Sequence, residues 1–341
     1  MRFPNPSFAH LSRLTDDKGL FEHAKGTIPR SSHGYCVDDV ARALIVVSRD
    51  PAFLTNTGQH RLRDVYLSFL LSAQDRQGQF HNRLGLNRLW QDQPSVEDCW
   101  GRALWGLGTY VSANSEVEPG EAALQAFTLG AVQRSPWLRS MAFAALGAIE
   151  VLQVIPRHRE AISLLKDTAK RVGRPRSSKS WPWPEDRLQY ANAILPDVLL
   201  GAGTALNDAA LQEDGLLLLG WLLDLETCNG HLSVTPVGGR GPNNISPAFD
   251  QQPIEVAALA DACARAFKVT RDLRWANGLE LAIKWFLGFN DGNTPLYDPF
   301  GGGCCDGLEP NGRNENQGAE STLAALSALQ QGRSLLKEFY E

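Results

Sequence analysis

The stretch HGYCVDDVARALIVV, residues 33–47, opens on a polar knot with two aspartates and runs straight into a small, apolar helical segment. Five further stretches repeat the pattern: SVEDCWGRALWGLG (95–108), RSPWLRSMAFAALGAI (134–149), QYANAILPDVLLGAG (189–203), DQQPIEVAALADAC (250–263) and NQGAESTLAALSAL (316–329). Asp38, Asp98, Leu138, Asp197, Glu255 and Glu320 mark matching positions, at spacings of 60, 40, 59, 58 and 65 residues. The apolar halves are rich in Ala, Gly and Leu, which suits helices buried on most sides. Between them lie amphipathic stretches with charged outer faces: His60–Gln74, Glu121–Arg134, Arg157–Arg171, Asp208–Asp224 and Leu273–Phe289. Six buried helices alternating with amphipathic ones predict an all-α double ring, the polar helix starts lining one shared cavity. The sixth outer helix falls on Ser334–Tyr340, on Pro6–Leu14, or on both packed together.

Six regular units over 341 residues predict one domain spanning 1–341, because a closed ring cannot be cut without exposing its core. Hydrophobic residues make up 43% of the chain, enough for that core, and the formal net charge of -5 gives no electrostatic case for nucleic acid or anionic lipid as a partner. The most apolar run, Leu216–Leu223, is far below membrane-spanning length. The first residues lack the apolar run of a signal peptide, so the expectation is a bacterial-type cytoplasmic enzyme. Cys36, Cys99 and Cys263 sit inside helical patterns, and the adjacent Cys304 and Cys305 have no CxxC partner. Reduced, structural cysteines are therefore expected, with no metal and no cofactor.

Three Pro/Gly/Ser-rich stretches, Arg174–Arg187, Gly230–Asp250 and Asp291–Gln317, are long for loops inside a compact domain, and such loops tend to be functional. Gln77–Leu89 reads as a short hairpin.

The chemistry is concentrated at the starts of the six buried segments. Asp38 and Asp39 follow His33 and Tyr35, and Glu97 and Asp98 repeat the arrangement ahead of Arg102. The plain reading of each acid is a helix cap or an ion pair one turn on, to Arg42 or Arg102. Two acidic pairs facing each other across a ring would push one carboxyl upward, as a general acid at neutral pH requires. Gln251 and Gln252, ahead of Pro253 and Glu255, offer amide groups suited to sugar hydroxyls, and Gln317 with Glu320 forms a similar set. Trp181, Trp183 and Tyr190 lie near one helix start beside Glu185, and Trp90, Trp100 and Trp137 lie near others. Aromatic faces of this kind stack on the C–H faces of sugars. There is no nucleophile elbow, phosphate-binding loop, dinucleotide fingerprint or HExxH motif. With seven histidines, of which His33 and His81 fall nearest the expected cavity, chemistry based on a histidine pair is disfavoured.

These motifs together resemble a bacterial family of (α/α)6-barrel proteins whose genes neighbour, or are fused to, those of glycosyltransferases and mannoside phosphorylases. The matching elements are LTDDKGLFEHA (14–24), SHGYCVDDVARALI (32–45), EDCWGRALWGLG (97–108), WPWPEDRLQYANAILP (181–196), FDQQPIEVAALADAC (249–263) and YDPFGGGCCDGLEPNGRNENQGAESTLA (297–324). The resemblance implies a six-hairpin toroid with long loops over one face and a glycoside-active enzyme. One departure stands out: YANA (190–193) replaces YDNA of the family pattern, so Ala191 stands where an aspartate is expected. A chain lacking that carboxylate would bind its sugar and turn it over poorly. The expected activity is glycoside hydrolysis of an oligosaccharide or glycoconjugate by paired carboxylates. The carboxylates in question are Asp38, Asp39, Glu97, Asp98, Glu185, Glu255 and Glu320, with an acid expected at position 191. The expected sugar contacts are His33, Tyr35, Arg102, Trp181, Trp183, Tyr190, Gln251, Gln252 and Gln317. Two alternatives stand beside it: a non-catalytic carbohydrate-binding partner of a glycosyltransferase, and a sugar epimerase or lyase on the same scaffold.

Overall fold

Small side chains decide which helices are inside. The structure, a computed structural model, describes residues 3–51, 53, 57–114, 119–244 and 248–340. Among them, the Ala/Gly/Leu-rich segments form helices α2 (Val37–Arg49), α4 (Asp98–Ala113), α6 (Leu138–Val154), α8 (Ile194–Leu206), α10 (Pro253–Thr270) and α12 (Ala319–Tyr340). Each packs on the next, and α12 returns to α2, so the inner ring closes. The amphipathic segments form α3 (Thr57–Ala73), α5 (Pro119–Ala131), α7 (Arg159–Val172), α9 (Ala209–Leu225) and α11 (Leu273–Phe286), each laid on the inner helix before or after it. The sixth outer position is filled by α1 (Ala9–Leu14), which packs on α12. Ser334–Tyr340 is the continuation of α12 itself. The chain is thus an all-α (α/α)6 barrel.

The connections are lopsided, and this sets where a site can form. Turns from an inner to the next outer helix are as short as two residues, as at Asn207–Asp208 and Arg271–Asp272. The returns to the inner ring are long and carry four antiparallel two-stranded ribbons. These pair β1 (Ala24–Lys25) with β2 (Ile28–Pro29), β3 (Tyr35–Cys36) with β4 (Arg83–Leu84), β5 (Thr227–Cys228) with β6 (His231–Leu232), and β7 (Gly307–Glu309) with β8 (Gly312–Asn314). All of them therefore sit at the N-terminal end of the inner helices, over one face of the barrel. The single hairpin expected over Gln77–Leu89 is two tighter turns instead. In the first, Asp75 Oδ1 accepts the backbone N–H groups of Gln77 (2.9 Å) and Gln79 (2.8 Å). The second runs 83–91, where Gly85 N–H donates to Leu89 O and Gln91 N–H to Arg83 O, leaving β4 free to pair with β3.

Among the described residues no helix is long and apolar enough to cross a membrane. None of the six cysteines is in a disulfide, and five are buried.

The tightest inner contact is between α4 and α6, where glycines let two backbones touch. A Cβ on Gly147 would lie 2.2 Å from Leu104 O, and one on Gly108 would lie 2.3 Å from Gly147 O. Gly147→Ala must push these helices apart, so it is expected to destabilise the fold by about 1–3 kcal/mol, the usual cost of overpacking a core. Urea unfolding followed by circular dichroism checks this; an unchanged midpoint would show that the ring gives way there at no cost.

Candidate functional site

The free N–H ends of the inner helices face the loop-covered side, and the acidic residues there are not spent on capping. The caps of α2, α4, α6, α8 and α10 make no side-chain hydrogen bond, whereas His158, Asp208 and Asp272 cap the outer helices α7, α9 and α11 in the ordinary way. The inner carboxylates are instead bound sideways, from helix to helix.

Arg102 on α4 links Asp38 on α2 (Nε–Oδ1 3.2 Å) to Asp98 (Nη2–Oδ2 3.8 Å), with its guanidinium 3.9 Å from the centre of the Phe143 ring. Asp98 also accepts from Ser140 Oγ (2.7 Å) and Tyr190 Oη (2.6 Å), so each oxygen has a hydroxyl donor. Burial and the neighbouring Asp98 push the Tyr190 phenol up, keeping it a donor. Arg42 on α2 pairs with Asp39 one turn back and with Glu320 on α12. Arg139, at the start of α6, lies 2.8 Å from Glu185 Oε2 and donates to Tyr190 O (2.8 Å) and Asn192 Oδ1 (3.0 Å).

These groups surround a cleft with two adjoining lobes. A central lobe of about 260 Å³ is lined by Asp38, Arg42, Asp98, Arg102, Tyr190, Gln252, Ile254 and Glu320. A lateral lobe of about 500 Å³ shares Asp38, Asp98 and Tyr190 and is lined besides by Glu97, Trp137, Arg139, Ser140, Glu185 and Gln189. A narrow axial cavity of about 60 Å³ runs beneath, from Arg42, Arg102 and Glu320 down to Asp197 and Asp261, with Ala191 in its wall. A larger concavity, about 940 Å³, opens at the opposite end of the barrel. Its arginines are paired with acids, as in Arg49–Asp261 (3.1 Å) and Arg333–Asp50 (2.7 Å), and among the described residues no aromatic ring lines it, so the cleft is the better candidate.

The cleft brings together Asp38, Glu97, Asp98, Glu185, Glu320, Arg102, Tyr190 and Gln252 from the residues singled out in the sequence. The others lie elsewhere. Asp39 is buried behind Arg42, and burial pushes it up to about 7 against the pull of Arg42. Glu255 is buried beneath the cleft, where its carboxyl accepts from the backbone N–H groups of Ala191 and Asn192 and from Asn192 Nδ2 (2.9 Å). Burial pushes Glu255 up to about 8, buried Glu226 adds to this, and the two backbone donors and Arg139 pull against it. Tyr35 is buried and donates to Asp16 Oδ2 (2.6 Å). His33 is exposed on the rim, edge-on to His23. Trp181 and Trp183 pack against Trp221 inside the wall, the second with no exposed surface, and their indole N–H groups donate to Glu185. They are braces for Glu185 rather than stacking faces. Gln251 is buried between Asp291 and Trp285, and Gln317 is buried beside His10. Trp-Pro-Trp-Pro in a loop reads as a stacking motif because sequence cannot show that Trp221 covers it from α9.

Arg139 and Asn192 were not singled out from the sequence, although their polar network holds one side of the cleft. The signal for Arg139 was present: the third inner segment has an apolar Leu138 at the matching position and an arginine beside it. Among the described residues no histidine lines the cleft.

Ala191 itself has φ 46°, in the left-handed region. Aspartate and asparagine enter that region several times more readily than most other non-glycine residues, so the backbone at 191 suits either better than alanine.

No protein-family model matches the chain, and no curated protein is similar to it in sequence. Solved structures are similar in fold. A D-mannose isomerase is 12% identical with a TM-score of 0.71, over 96% of this chain and 94% of that one. A cellobiose 2-epimerase from Spirochaeta thermophila is 14% identical with a TM-score of 0.68, over 96% and 93%. A family 76 α-mannanase from Bacteroides thetaiotaomicron is 12% identical with a TM-score of 0.63, over 97% and 95%. At such identities the likeness establishes the barrel and nothing finer.

The raised acids predict a pH dependence. The folded state keeps a proton on Glu255 that the unfolded chain releases above its ordinary value of 4.5. Its contribution to stability is therefore fully present below that value and is lost as pH rises through about 8. Urea midpoints measured from about pH 5 to 9 should fall with pH, and Glu255→Gln should flatten the fall. Parallel curves for the two proteins would show that Glu255 is ionised throughout.

Proposed function

We propose that the protein is a glycoside hydrolase acting on an oligosaccharide or glycoconjugate through paired carboxylates. The observation that carries this reading is the cleft lining: five carboxylates, Asp38, Glu97, Asp98, Glu185 and Glu320, with no histidine among the described residues. Hydrolysis of a glycosidic bond needs one carboxylic acid to protonate the leaving oxygen and one carboxylate to activate water or attack the anomeric carbon. Asp98 suits the second role, because two hydroxyl donors and Arg102 fix it as an acceptor at the junction of the lobes. The first role falls to a carboxylate at position 191. Its backbone N–H is bound by buried Glu255, so an acid there would sit beside a second carboxyl in a site poor in water, conditions that keep a carboxyl protonated at neutral pH. With Ala191 the acid is missing, and the chain binds better than it cleaves.

Two solved structures similar in fold are described as an isomerase and an epimerase, so proton transfer at a sugar carbon is the second reading. It needs a base and an acid at the sugar carbon, roles for which His is the commonest side chain, and the cleft lacks one among its described lining.

The deciding measurement compares this chain with Ala191→Asp on a panel of mannosides, glucosides and galactosides, reading product and anomer by NMR. The aspartate variant is expected to release sugar at a rate at least about a hundredfold above the chain as it stands, the typical scale for a general acid. Interconversion of epimers without release would move the assignment to the epimerase reading. Binding without any turnover in either protein would leave a carbohydrate-binding partner.

A further inference from the structure

Among the described residues Trp137 is the one tryptophan that lines the cleft. It is 60% exposed and lines the lateral lobe but not the central one, whereas Trp181 and Trp183 are buried in the wall. Leaving so large an apolar ring in water forfeits burial that other tryptophans in the chain obtain. The backbone beneath it is held firmly. Ser135 Oγ accepts the Trp137 N–H (3.1 Å), Ser135 O accepts from Arg171, and Pro136 fixes the backbone angle between them. From the other side, Trp137 O accepts the first-turn N–H of Met141 (3.1 Å). The ring is thus exposed on a fixed base.

Its surroundings are polar and hydrogen-bonding. The lateral lobe that Trp137 lines is lined also by Glu97, Glu185 and Gln189, and it shares Asp38, Asp98 and Tyr190 with the central lobe. An aromatic face flanked by carboxylates and an amide is the combination that binds a pyranose: the ring takes the C–H face and the polar groups take the hydroxyls.

We infer that Trp137 is the stacking platform of a second sugar subsite in the lateral lobe, so that the substrate is at least a disaccharide whose linking bond lies over Asp38, Asp98 and Tyr190. This rests on the hydrolase reading for the bond and on geometry alone for the platform. The central lobe, about half the size of the lateral one, takes one unit, and the lateral lobe takes the unit or units beyond the bond.

The test uses the full chain with Ala191 in place, so that binding is read apart from turnover. Affinities for the monosaccharide through the tetrasaccharide of a β-mannoside and of a β-glucoside series are measured by calorimetry, with tryptophan fluorescence recorded in parallel. Trp137→Ala is expected to weaken the di- to tetrasaccharides about three- to tenfold and to leave the monosaccharide unchanged, with Trp137→Tyr recovering part of the loss. The fluorescence change on oligosaccharide binding should vanish in Trp137→Ala. As the ring is exposed, unfolding midpoints of all three proteins should agree. Equal affinities for every chain length in the wild type and Trp137→Ala would overturn the platform and leave the hydrolase reading standing. Failure of both series to bind at all would overturn both.

Discussion

A buried charge must find a partner, and in this barrel the inner helices find theirs on one another. At the loop-covered rim the bonds run in order round the ring. Glu320 on α12 meets Arg42 on α2, Asp38 on α2 meets Arg102 on α4, and Asp98 on α4 meets Ser140 on α6. Arg139 on α6 then meets Asn192 ahead of α8, and Asn192 meets Glu255 on α10. At the opposite end, Asp197 on α8 meets Arg265 on α10, Asp261 on α10 meets Arg49 on α2, and Gln331 on α12 meets Asp261. Apolar packing closes the ring, and these polar links tie its helices together besides. Removing Arg42 would leave buried Asp39 without its counter-charge, which costs far more than the pair contributes when whole.

The two ends differ in what they leave over. The lower end pairs its arginines with acids, Arg49 with Asp261, Arg265 with Asp197 and Arg333 with Asp50, and its connections are short. The rim carries more carboxylates than its arginines can hold, since Arg42, Arg102 and Arg139 face Asp38, Asp39, Asp98, Glu185 and Glu320, with Glu97 beside them. That surplus sits where free helix N–H groups favour negative charge, which is why the barrel can keep it. A surplus of acid in a cleft is of little use for stability and of direct use for moving protons.

The architecture was legible in the sequence because it depends on local properties: small residues where helices touch, charge where they face outward, and polar starts at similar spacing. The α4–α6 contact, for instance, is already written in the glycines of 101–108 and 147. The site was legible in part. Acidic residues at helix starts mark the cleft whatever their exact partners, and Asp38, Asp98, Arg102, Tyr190 and Glu320 did converge there. Depth was not legible. Asp39 and Glu255 are one helical step away from the lining and face inward, and a one-residue rotation about a helix axis cannot be read from a motif. Cover was not legible either. Trp183 is hidden by Trp221 from a distant helix, while Trp137, in a sequence context that looks no more functional, is left bare.

Position 191 gathers these strands. Its backbone is left-handed, its N–H is held by a buried acid, and its side chain opens on the axial cavity beneath the cleft. A strained backbone persists only where its surroundings over-determine it, and here Glu255, Asn192 and Arg139 do so together. None of that apparatus is needed to seat a methyl group. The burial of Glu255 and the raised carboxyl that results are costs carried for the sake of one backbone turn. Such a turn gains its use from the side chain it aims, and here that side chain opens on the axial cavity. The left-handed backbone at 191 thus favours a short polar side chain, asparagine or aspartate, over alanine on conformational grounds alone.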